Sequence, residues 1–185
     1  MEIVNWLVEY PVVLLGSFKK EFLSLPKEVL MTSMRSHQKY LSLIDARGNL
    51  LPYFITISNM RVEDSKVIVR GNEKVLTARL TDAQFLYGAD RKISLEKMAE
   101  KLKAVTFAEK LGSMHEKTQR IVKLADFISI LVDRKIRAVV TRAAKLCKAD
   151  LVSEMVGEFP DLQGMMGKYY AQLSGEKIIV AQAIG

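Results

Sequence analysis

The spacing of apolar and polar positions divides the chain near residue 92. Before that point, runs with a two-residue period alternate with helical spacing. Tyr40 to Ile44 (YLSLI) and Tyr53 to Ile57 (YFITI) are rich in aromatic and β-branched residues and read as strands. Asp45-Ala46-Arg47-Gly48-Asn49 lies between them and supplies residues that tolerate a left-handed backbone. The pattern predicts an antiparallel hairpin. Lys66 to Val69 reads as a short third strand. Residues 3 to 15 read as a strand or short helix ending near Pro11, followed by the apolar run Val12 to Leu15. Trp6 and Leu7 are expected to be buried. One helix is expected to open with Ser24 as N-cap and Pro26 in its first turn, and to run to about Lys39. It turns Val29, Leu30 and Met34 inward, with His37 inward or at the edge. Another opens with Asn72 as cap and runs to about Tyr87, with Val75, Leu76, Arg79, Leu80 and Ala83 at helical spacing. Gly88-Ala89-Asp90-Arg91 is read as its end.

After residue 92 nearly all the spacing is helical. Ser94 caps a helix whose apolar side is Met98, Leu102 and Val105. Gly112 interrupts. His115 to Leu131 then places Ile121, Leu124, Ala125, Ile128 and Leu131 on one side, the pattern of a buried face. Asp133 can cap the next helix, on which Ile136, Val140, Ala143, Cys147 and Leu151 form an inward stripe. Its opposite side carries Arg134, Arg137, Arg142, Lys145 and Lys148. At helical rotation these five span roughly 140° of arc. Gly-Glu-Phe-Pro after Val156 stops the helix, with Phe159 as a buried ring. Met165, Met166, Tyr169 and Tyr170 share a face of a further helix, either core packing or an interface. Lys177 to Ile184 reads as the first turns of one more element. The expected fold class is α+β, with a hairpin-containing part over residues 1–92 and a mainly helical domain over 93–185.

Composition adds direction. The 185 residues are 49% hydrophobic and 26% charged, a globular balance rather than a disordered one. The net charge of +7 favours an acidic partner, with a polyanion such as RNA as the candidate. A solvated basic surface explains the same number without a partner. The one cysteine, Cys147, excludes an internal disulfide framework and reads as a small hydrophobe in a reducing compartment. No run reaches the roughly 20 apolar residues that span a bilayer. The first apolar run is interrupted by Asn5, Glu9 and Pro11, and is not read as a signal peptide.

Several stretches carry a resemblance. KADLVSEMVGEFPDLQGMMGKYYA (Lys148 to Ala171), LPKEVLMTSMRSHQKY (Leu25 to Tyr40), LLPYFITISNM (Leu50 to Met60), GNEKVLTARLTDAQF (Gly71 to Phe85) and FAEKLGSMHEKTQR (Phe107 to Arg120) resemble the beta subunit of the bacterial heterotetrameric glycyl-tRNA synthetase. That subunit is much longer, so the chain reads as an internal fragment of it. The resemblance implies a cytoplasmic enzyme coupling glycine to its tRNA with ATP, and no membrane. It implies that the alpha subunit holds the class II active site with ATP and Mg, and that the beta subunit supplies most tRNA contacts. The implied partners are glycine tRNA, the alpha subunit and the remainder of the beta subunit. No autonomous catalysis is expected of this piece, and no cofactor within it.

The order of helices after residue 92 resembles the HD-type metal phosphohydrolase fold. Its His-Asp pair should fall near Lys148-Ala149-Asp150, where no histidine stands beside Asp150. The chain has two histidines, His37 and His115, one in each half. A metal needs several converging ligands, so no metal ligands are expected. Nor is there a phosphate-binding glycine loop or a nucleophile signature. No catalytic residues are assigned. The five cations Arg134, Arg137, Arg142, Lys145 and Lys148 are the candidate tRNA-binding residues, since phosphate contacts need cations on one face. An ordinary solvated helix face is the plain alternative. An active HD-type phosphohydrolase and a structural scaffold without RNA contact are the two competing functions.

Overall fold

The computed structural model describes residues 8–60 and 64–185, without the His37 side chain. The expectations for Trp6, Leu7 and His37 lie outside those residues. The chain forms two compact units, residues 1–85 and 86–185, where the hydropathy pattern divides it at 92.

In the first unit, β1 (Val12–Ser17), β2 (Leu41–Ile44) and β3 (Leu50–Ser58) form an antiparallel sheet in the order β1-β3-β2. The expected hairpin is β2–β3. Its turn is held by the Asp45 carboxylate, which accepts from the N–H groups of Arg47 and Asn49, and Gly48 takes a positive φ. On β1, Leu14 and Gly16 face inward while Val13 and Leu15 face outward. Gly16 is required there, because a Cβ would run into the Phe54 ring. The helix α1 (Lys27–Gln38) buries Val29, Leu30 and Met34, and Phe22, Phe54 and Tyr40 are buried in the same unit. Ser24 does not cap it. Pro26 occupies the N-cap, and Ser24 ends a separate 3-10 turn, Lys20–Ser24. Lys39 closes the helix with φ 56, and the Tyr40 N–H donates to the Met34 carbonyl at 3.0 Å.

The helix α2 (Ser65–Asp90) corrects two expectations. There is no strand at Lys66 to Val69, and Asn72 is not a cap. The β-branched run Val67-Ile68-Val69 is helical because its neighbours satisfy it as a helix. The Asp64 carboxylate accepts from the Lys66 N–H, and Asn72 donates to the Ile68 carbonyl one turn back. Tyr40 then donates its hydroxyl proton to Asn72, and Ser17 donates to Glu73 through both N–H and Oγ. Tertiary partners of this kind override local propensity.

The second unit is helical apart from a two-stranded β4 (Thr106–Ala108) and β5 (Gly112–Ser113). Ser94 caps α3 (Leu95–Lys101) as expected, accepting from the Lys97 N–H. Ser113 and Glu116 form a capping box at the start of α4 (Met114–Val132). Asp133 accepts from the Lys135 N–H at the turn Arg134–Ile136, which leads into α5 (Arg137–Leu146). Three short helices follow: α6 (Glu154–Glu158), α7 (Met165–Leu173) and α8 (Ile178–Ile184). Leu95, Met98, Leu102, Leu146, Met155, Met166, Tyr170 and Ala181 form the interior. Phe159 is buried, as expected. Among the described residues no helix is long and apolar enough to cross a membrane.

Two apolar faces differ from expectation. The stripe of α5 stops at Leu146, and a 3-10 turn, Ala149–Val152, follows. That turn carries Ala149 and Asp150 inward, leaving Cys147 and Leu151 half-buried and Ile136 exposed. On α4 the buried residues are Met114, Thr118 and Ser129. Leu124, Ile128 and Leu131, expected inside, are exposed.

Candidate nucleic-acid interface

The five candidate cations do not form one uniform strip. Arg134 lies in the 3-10 turn before α5, and Lys148 lies beyond the helix end. Arg137, Arg142 and Lys145 are on α5 itself.

Three of them hold carboxylates. Arg137 grips Asp126 of α4 with two parallel bonds, Nε to Oδ1 at 2.5 Å and Nη2 to Oδ2 at 2.9 Å. Arg142 bridges two acids: its Nη2 lies 2.5 Å from Glu176 Oε1 and 2.9 Å from Glu96 Oε2. Lys145 Nζ donates to the other oxygen of Glu96 at 2.6 Å. The Arg142 and Lys145 hydrogen bonds hold the Glu96 carboxyl at about 2, from an ordinary 4.5. Glu176 and Glu96 in turn raise the Arg142 guanidinium further. Charge-assisted, forked contacts of this kind position helices as well as neutralise charge. Arg142 thereby ties α5 to α3 and to the segment entering α8.

Among the described residues, no ion pair is recorded for Arg134 or Lys148, and Arg134 is exposed. Positive charge that periodicity did not single out stands near Lys145. A cleft of about 430 Å³ beside it is lined by Lys103 and Lys123, with the His115 ring and the acids Glu96 and Glu100. No local signal joins these residues, because they come from three separate segments.

The two buried carboxylates of the unit do a different job. Asp90 accepts from the N–H groups of Glu154 and Met155 at 2.9 and 3.0 Å, and from the Tyr170 hydroxyl at 2.7 Å. Burial and that bond push the Tyr170 phenol up. Asp150 is fully buried and its Oδ2 accepts from the N–H groups of Gly164 and Gly167, at the start of α7. Burial raises its carboxyl from the usual range. Both acids satisfy helix N-termini that would otherwise be buried and unpaired. Neither was singled out as structural from sequence, since their partners lie 14 to 80 residues away.

Asp150 is also where an HD-type site would place its metal ligand. The residues present do not fit that role. One oxygen is occupied by two amides, and among the described residues no group of three or more His, Cys, Asp or Glu side chains converges.

Comparison with known proteins completes the description. The family model described as glycyl-tRNA synthetase beta subunit matches residues 1–185. The glycine–tRNA ligase beta subunit of Trichlorobacter lovleyi is 53% identical over 184 residues, covering 100% of this chain and 27% of the relative. That of Geobacter sulfurreducens is 53% identical over 181 residues, 98% of this chain and 26% of the relative. That of Syntrophus aciditrophicus is 52% identical over 184 residues, with coverage of 100% and 27%. The chain thus spans about a quarter of the length of these relatives. A family match across every residue, at this level of identity, places the chain in the glycyl-tRNA synthetase beta subunit family.

Proposed function

We propose that this chain is the part of a glycine–tRNA ligase beta subunit that supports tRNA binding and subunit architecture. The whole enzyme couples glycine to tRNA in the cytoplasm at the expense of ATP. ATP and Mg act in the alpha subunit, and this chain is not itself catalytic. Its partners are glycine tRNA, the alpha subunit and the rest of the beta subunit. The observation that carries this reading is the family match over the whole chain. The net charge of +7 supports the RNA part of it, since phosphates are the acidic partner of such an enzyme.

The candidate contacts keep the original five, now ranked by what each side chain already holds. Arg134 and Lys148, without ion-pair partners among the described residues, stand first. Lys145 follows, since Glu96 engages it from one side. Arg137 and Arg142 hold carboxylates that tRNA phosphates would have to displace.

The test is tRNA affinity across a salt series for the native enzyme and for Arg134→Glu with Lys148→Glu. Loss of two phosphate contacts weakens binding roughly tenfold and lowers the salt slope by about 1 to 2. Unchanged affinity and slope defeat the assignment of these two residues. Salt-independent binding by the native enzyme defeats the phosphate reading as a whole and favours the scaffold function.

A further inference from the structure

The exposed side of α4 goes beyond the RNA reading, and what it implies rests on the reading of this chain as part of a longer beta subunit. Leu124, Phe127, Ile128 and Leu131 follow one another at steps of three, one and three residues, which is one stripe of a helix. They are 63%, 61%, 55% and 70% exposed. The side that α4 turns inward carries Met114, Thr118 and Ser129. The residues it buries fully thus include two hydroxyls, while four large apolar residues on one side stand in water. Isolated exposed apolar residues need no explanation, but a contiguous patch of several hundred Å² marks an interaction surface.

We infer that this stripe is an intramolecular docking surface, covered by polypeptide of the beta subunit beyond the residues of this chain. Three observations select that occupant. The relatives devote 27% of their length to the matched region, so nearly three quarters of such a subunit is available to cover it. A second copy of this chain is disfavoured by a net charge of +7 on each. The stripe offers no cation or hydrogen-bond donor for a phosphate, and one ring for a base to stack on, so RNA does not fit it. The covering element is an apolar face of a helix or strand with no charge at its centre, because any charge there would be desolvated without a partner.

The test is hydroxyl-radical footprinting with residue-resolved mass spectrometry on two native proteins at dilute concentration. One is this 185-residue chain, and the other is a beta subunit of the family's full length that carries it. Oxidation at Phe127, Ile128 and Leu131 is expected to fall roughly fivefold in the full-length subunit, without alpha subunit or tRNA, as for side chains at an interface core. Equal strong oxidation in both overturns the inference. So does protection already present in the 185-residue chain, which means that the chain covers the stripe by itself or by self-association. Protection that appears in the full-length subunit only after alpha subunit or tRNA is added also overturns it. The tRNA salt series above is unaffected by any of these outcomes.

Discussion

Asp150 in the interior of the second unit and Arg142 on its flank both hold their partners by charge, yet the two regions work differently. Asp150 is buried away from water, with two backbone amides donating to its Oδ2. Arg142 sits between two acids that keep contact with solvent, and Lys145 shares one of them. Burial raises the Asp150 carboxyl, while hydrogen bonds from Arg142 and Lys145 lower that of Glu96. The difference teaches that burial sets how much a polar contact matters for the fold. It also shows that a helix rich in cations need not present them free.

The comparison breaks most visibly at Asp150. Asp150→Ala leaves two amides at the start of α7 without an acceptor in a dry interior. It should lower stability by about 3 kcal/mol in denaturant unfolding. If the loss is no larger than that of Arg142→Ala, the interior contact is not the more demanding of the two.

Arg142→Ala should cost about 1 kcal/mol, because it removes a partly exposed bridge rather than a buried one. Its sharper signature is the Glu96 carboxyl, which should rise from about 2 towards its ordinary 4.5 while Lys145 retains part of the effect. An NMR titration of Glu96 that does not move would mean that Arg142 does not set its charge.

The pH dependence separates the regions by sign. Glu96 has a folded value below its unfolded one, so its contribution is present above about 4.5 and is lost as pH falls towards about 2. The thermal midpoint of the native chain should therefore exceed that of Glu96→Gln at pH 6, and the gap should narrow steadily as pH falls from about 4.5 towards about 2. Asp150 runs the other way: its raised value means that the cost of its buried charge is relieved as pH falls. A gap for Glu96→Gln that widens in acid would contradict the assignment. The smallest effect belongs to the exposed side of α4. In the 185-residue chain, Leu131→Gln should change stability by no more than about 0.5 kcal/mol. A large loss would show that Leu131 is buried in solution.

Much of the fold was legible locally. The β2–β3 hairpin follows from two β-rich runs around a turn containing Gly48, the start of α3 follows from Ser94, and Asp133 caps the 3-10 turn that leads into α5 rather than α5 itself. The capping box of Ser113 and Glu116, a serine followed three residues later by a glutamate, went unread. The start of α2 was not legible, because the β-branched run after Lys66 favours a strand until Asp64, Asn72 and Tyr40 are placed around it. Of the candidate interface, only the placement of Arg137, Arg142 and Lys145 on one helix was legible. The acids that meet them were not.

By itself the sequence determined which residues share a face on single helices, where several elements begin, and the family. Those properties depend on spacing, on capping chemistry and on long ordered stretches of matching residues. The tertiary structure alone decided which face is inside and which cations are engaged. Glu176 and Glu96 reach Arg142 across 34 and 46 residues, and Asp90 reaches Tyr170 across 80. Periodicity measures rotation about one helix axis. It carries no information about what another part of the chain brings to that helix, and burial and charge pairing are properties of that meeting.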